Sequence, residues 1–121
     1  MTYGNPRGNK ILKKYFIPSP WNIYYARARC QAIYRNNFWA FTPESWYQMW
    51  VNSGVMQHKG RKIHQYRMVR MDPTEAYGPH NCIIVTNRMA YSKLMYENRG
   101  LVPKTNFKPE HAVNHRKETH E

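Results

Sequence analysis

Cationic side chains dominate the groups in this sequence that can do chemistry. Lys59, Arg61 and Lys62 surround Gly60, Arg67 and Arg70 follow in an alternating stretch, and Lys10, Lys13 and Lys14 form a knot near the N-terminus. Arg27 and Arg35 recur with Tyr24 and Gln31 at spacings of three and four, which sets all four on one face of a helix. Guanidinium and ammonium groups with no acid beside them grip phosphate oxygens, arginine through two parallel N–H bonds and lysine as a point charge. Other chemistries are poorly served. Of the six His, at 58, 64, 80, 111, 115 and 120, only His80 stands within four residues of a Cys, two before Cys82, and one such pair falls short of a zinc-ligand set. No P-loop, dinucleotide fingerprint or nucleophile elbow is present. The two Cys are 52 residues apart, a spacing that admits one disulfide and fits two buried thiols in a reducing cytosol better.

The charge balance agrees with this inventory. The 121 residues hold 19 Lys/Arg against 7 Asp/Glu, a net +12, with pI about 10.0. Residues 1–71 carry twelve cations and the single acid Glu44, a net +11, while residues 72–121 are close to neutral at +1. Such a field favours a polyanionic partner and fast, salt-sensitive association, so nucleic acid is the expected partner. The length allows one domain with its own core. No stretch nears the ~18 apolar residues of a membrane span, residues 1–9 lack an apolar signal core, and mean hydropathy is −0.87. Aromatics at 15% are too many for a disordered polycation. The expected location is the cytoplasm.

Several elements must position these groups. Residues 1–19 read as a basic arm, 20–98 as the packed body, and 99–121, with Pro103, Pro109 and three His, as an extended or disordered tail. A helix fits 21–35, with Ile23, Ala26, Cys30 and Ile33 turned inward. After Asn36-Asn37, Thr42-Pro43-Glu44 opens a second helix that Gly54 closes, with Trp46, Met49 and Trp50 as its core stripe. A basic loop over 58–62 leads to a strand over 65–71, a turn bracketed by Asp72-Pro73 and Gly78-Pro79, and an apolar strand over 82–86. A third helix over 87–97 starts at Asn87 and carries Met89, Tyr91, Leu94 and Met95. The fold class expected is α+β: two helices packed on an antiparallel hairpin and a closing helix, with irregular basic N- and C-terminal arms.

The strand, turn, strand and helix resemble the ββα-metal unit of HNH endonucleases, through Tyr66–Asp72 and Gly78–Thr86. Upstream, the Trp46–Trp50 helix, the Ser53-Gly54 turn and the Gly60-Arg61 loop are similar to those of small phage-encoded proteins of that type. The resemblance spans about Tyr25–Lys93. It implies a strand-end His as general base, one divalent cation held by neighbouring ligands, and a middle Asn bracing the loop. Asp72 matches the Asp after the first strand and Asn81 the middle Asn, but the base position falls on Arg70 and the ligand positions on Val69 and Ala90. Arginine stays protonated near neutral pH, and Val and Ala cannot ligate a metal, so no cofactor is expected. Arg70 can instead grip a phosphate. Two alternatives stay open within the resemblance: His80, beside Asn81, or His64 can serve as base, and Asp72 and Glu75 can hold Mg²⁺ or Mn²⁺ with Asn87.

The leading expectation is a phage-type binder of double-stranded DNA on a nuclease-like scaffold that no longer cuts. Lys59, Arg61, Lys62, Arg67 and Arg70 would hold backbone phosphate, Arg27 and Arg35 would extend the track, and Lys10, Lys13 and Lys14 would follow a groove. The alternatives are an active metal-dependent nicking endonuclease, an RNA or ribosome binder, and a phage structural or host-takeover protein on an acidic protein. The last would work through exposed aromatics such as Trp39, Phe41 and Tyr77.

Overall fold

Three helices and a two-stranded antiparallel sheet make up the computed structural model, which describes residues 17–113. The fold is α+β, with two helices before the hairpin and one after it. Lys10, Lys13 and Lys14 lie outside the described residues. In chain order the elements are α1 (Trp21–Tyr34), α2 (Pro43–Ser53), β1 (Tyr66–Arg70), β2 (Cys82–Thr86) and α3 (Asn87–Asn98), with 3₁₀ turns at Met56–His58 and Pro109–His111.

Helix α2 forms where its local signals place it. The Thr42 hydroxyl accepts from the Ser45 amide at 3.0 Å, the Ser45 hydroxyl accepts from the Thr42 amide at 2.9 Å, and Pro43 occupies the first turn. Gly54, at φ 77°, supplies the left-handed stop. One turn apart, Trp46 and Trp50 are buried at the centre of the core.

Helix α1 turns a different face inward from the one its aliphatic spacing suggests. Tyr25 and Ala32 are buried and Trp21, Tyr24 and Ala28 pack against the core, whereas Ile23, Cys30 and Ile33 are exposed. Aromatic area decides the register, because rings bury more surface and interlock edge to face. Trp21 lies 5.4 Å from Tyr24 and 5.8 Å from both Trp46 and Trp50 between ring centres. Cys30 is therefore an exposed thiol and only Cys82 is buried. The same network claims the aromatics expected to be exposed anchors. Trp39 stacks with Tyr25, Phe41 and Tyr77 at 5.4–5.7 Å and donates to the Tyr25 hydroxyl, and Phe41 is buried.

The hairpin pairs Tyr66 with Thr86 through Arg70 with Cys82. Side chains alternate between faces. Tyr66, Met68, Cys82 and Ile84 join the α1–α2 core, and the other face, with Arg67, Val69, Ile83 and Val85, is turned to α3. Thr86, rather than Asn87, caps α3 by accepting from the Met89 amide. Met89, Tyr91, Leu94 and Met95 stay exposed, since a two-stranded sheet is too narrow to cover more than one side of a helix.

The tail does not stay extended away from the body. Lys93 bonds to Glu97 and to the Thr105 carbonyl, Phe107 lies under the Lys93 ammonium, and the Val113 amide donates to the Ile84 carbonyl at 2.8 Å on the free edge of β2. The packed body thus reaches at least from the buried Ile17 to Val113. Among the described residues, no helix is long and apolar enough to cross a membrane.

Candidate nucleic-acid interface

The open end of the hairpin is organised around one buried amide. Asn87 has no exposed surface; its Nδ2 donates to the carbonyls of Gly60 at 2.9 Å and Lys62 at 2.6 Å, and its Oδ1 accepts from Arg67 Nε at 2.7 Å. The amides of Asn87 and Arg88 donate to the carbonyls of Gln65 and Ile63, so loop carbonyls take up two of the donors that a helix start leaves free. Gln65 Oε1 accepts from the Lys62 amide at 3.1 Å and fills the space over Gly60, where a Cβ would stand 2.0 Å from it. With its backbone turned inward, the loop presents Arg61, Lys62 and His64 to solvent, beside the exposed Arg88.

Arg67 is the oriented cation of this end. Besides its bond to Asn87, its Nη2 donates to the Tyr91 hydroxyl at 2.8 Å and its guanidinium lies 4.8 Å from the centre of the Tyr91 ring. Two hydrogen bonds and a ring hold the fork in one direction before any ligand arrives.

The closed end is braced by Asn81. Its Nδ2 donates to the carbonyls of Asp72 and Ala76 at 2.9 and 3.1 Å, its Oδ1 accepts from the Asp72 amide at 3.0 Å, and its own carbonyl accepts from Met71 at 2.6 Å. Arg70 is also committed to the loop, donating to the Glu75 carbonyl at 3.0 Å with its guanidinium 4.5 Å from the Tyr77 ring centre. Asp72 caps its own turn, accepting from the Thr74 hydroxyl and amide, and those bonds hold its carboxyl below the ordinary carboxylate value. His80 is exposed, its ring against Gly78.

The residues named from sequence therefore divide into separate groups. Arg61, Lys62 and Arg67 gather at the open end; Arg70, Asp72, Glu75, His80 and Asn81 gather at the closed end. Asn87 follows Asn81 by six residues of mostly extended chain, which separates Asp72 from Asn87 by roughly 20 Å. That distance and the full use of the Asn87 amide rule them out as joint ligands of one ion. Among the described residues no three of His, Cys, Asp and Glu converge. His64 and His80 likewise stand at opposite ends of the hairpin. Lys59 turns away from the loop toward the core, its ammonium 5.1 Å from the Tyr24 ring centre and 5.9 Å from that of Trp50, and this partial desolvation lowers its pKa. Arg27 and Arg35 are exposed on α1.

Residues 17–113 contain thirteen Lys/Arg and five Asp/Glu, and the Lys93–Glu97 bridge is the one ion pair among them. The described residues keep an excess of eight positive charges. Gln65, Arg88 and Tyr91 complete the open end and escaped the reading of the sequence. Only the Gly60-to-Gln65 separation hints at the lock, and nothing local marks Tyr91 as the partner of a residue 24 positions earlier. No family model, curated protein or solved structure matches the chain.

Proposed function

We propose that this protein binds the phosphate backbone of double-stranded DNA with the open end of its hairpin, on a ββα scaffold of HNH type that does not cut. The observation that carries the reading is the staple around Asn87. It turns the loop carbonyls inward, turns Arg61 and Lys62 outward, and aims Arg67, with Arg88 alongside. Backbone contacts of this kind position a protein without reading sequence, so specificity is expected to be weak. The Asn81 brace supports the scaffold half of the reading, since the resembled unit uses its middle Asn in this way.

Loss of cutting rests on residue types. The place of the general base holds Arg70, whose guanidinium is a donor only and is already bonded to the Glu75 carbonyl. Val69, on the face turned to α3, and Ala90, in α3, offer no donor atom.

Supercoiled plasmid incubated with the protein across a salt series, with Mg²⁺, Mn²⁺ or EDTA, tests both halves. Four phosphate contacts are expected to give a log–log salt slope near −4, at ~0.9 per contact, with no nicking. A slope shallower than about −2 overturns duplex binding in favour of an RNA or acidic protein partner. Metal-dependent nicking that His80→Ala abolishes replaces the reading with an active nuclease.

A further inference from the structure

A second surface is built where α1 ends. Tyr34 and Phe38 are 88% and 79% exposed, the highest values among the large apolar side chains of the described residues, and Ile33, next to Tyr34, is 48% exposed. Their backbone is nonetheless pinned. The Asn37 amide closes α1 on the Ala32 carbonyl at 2.8 Å, Asn36 takes the left-handed turn at φ 63°, and the Phe38 carbonyl accepts from Tyr77 at 2.9 Å. Arg29, Ile33, Asn36, Asn37, Phe38 and Trp39 line an open groove of about 500 Å³ at this turn. Residues 21–40 include Arg27, Arg29 and Arg35 and not one Asp or Glu.

We infer that this groove takes the unpaired bases of a single-stranded nucleic acid, a ligand distinct from the duplex proposed for the hairpin end. An aromatic ring projecting from a fixed backbone offers a stacking platform to any base, at little ordering cost. Asn36 and Asn37 bring amide donors and acceptors suited to a base edge, and Arg29, four residues before Ile33 and so on its side of α1, brings a cation for the adjoining phosphate. A duplex hides its base faces and cannot use such a platform. A groove that sets one cation and two side-chain amides around an exposed ring, in a stretch without a single acid, matches a base and its phosphate better than an apolar protein surface.

Fluorescence anisotropy with labelled fifteen-nucleotide oligo-dT, oligo-rU and a blunt duplex of equal length tests the assignment on the full chain. Phe38 lines the groove and is exposed, so the variant Phe38→Ala is expected to fold, with an unchanged melting temperature as the check. It is expected to weaken the better-bound single strand by at least about tenfold while leaving the duplex within twofold. The variant Arg61→Ala, Lys62→Ala is expected to do the opposite, so failure of the duplex reading shows in that arm alone. Single-strand affinity unmoved by the aromatic variant overturns the inference. So does a native dimer that the aromatic variant turns into monomers, which would assign the patch to a second copy of the chain.

Discussion

Two asparagines hold the ends of the hairpin, and each uses both heads of its amide. The Asn81 side chain ties three backbone groups of the closing loop together, so Asn81→Ala leaves the Asp72 amide and the Asp72 and Ala76 carbonyls, all partly buried, without their partner. The expected loss is about 2–4 kcal/mol in urea unfolding, larger than a surface change produces. Asn81 was expected as a loop brace only through the resemblance to the HNH unit; the role of Asn87 had no such pointer, and its partners lie 20 to 27 residues away. The two thiols differ in the same residue-level way. Burial pushes the Cys82 thiol up to about 11, whereas Cys30 is exposed. Iodoacetamide at neutral pH is expected to add one label per native chain and two per denatured chain, located by mass spectrometry. Asp72 and Glu97 both titrate below their unfolded values of 3.8 and 4.5 because each accepts hydrogen bonds when folded. Their small stabilisation is present above those values and is lost as pH falls through the lower folded ones. Asp72→Asn is therefore expected to flatten part of the acid limb of a plot of melting temperature against pH.

At the scale of elements, local rules succeed where a segment carries its own start and stop. Helix α2 has both, and Thr42→Ala is expected to cost about 1 kcal/mol by removing the acceptor of the Ser45 amide. Helix α1 has no side-chain cap and apolar residues around much of its circumference, so its inward face was chosen by the rings of α2 rather than by its own period. The loop over residues 59–65 shows the reverse dependence, a local glycine set by a contact. Gly60→Ala forces Gln65 aside and breaks its bond to the Lys62 amide. A loss of about 1 kcal/mol is expected and, under the proposed function, weaker DNA binding than the stability change alone produces, measured by denaturation and by gel shift.

Across the described residues, a two-stranded sheet is a marginal core, and each of its edges takes a backbone hydrogen bond from a neighbouring segment. The loop reaches β1 through the Gly60 amide and the Tyr66 carbonyl, and the returning tail reaches β2 through Val113. Truncation after Gly100 is expected to cost about 2 kcal/mol and to promote association through the bared strand. Urea unfolding and light scattering check the two halves of that expectation. The charge that dominates the composition stays largely unpaired, since one ion pair leaves most described cations without an acidic partner.

The sequence by itself determined the element order, both strands, the cap and stop of α2, and the excess of positive charge. Each of these depends on residues within a turn or two of one another, or on a plain count. Tertiary structure alone decided which face of α1 is buried, that Trp39, Phe41 and Tyr77 belong to the core, and that the tail returns. It also divided the basic residues into an aimed Arg67 and a loop-bound Arg70. Those outcomes come from competition among distant side chains for a limited buried volume and a few buried polar partners, and no local pattern ranks the competitors.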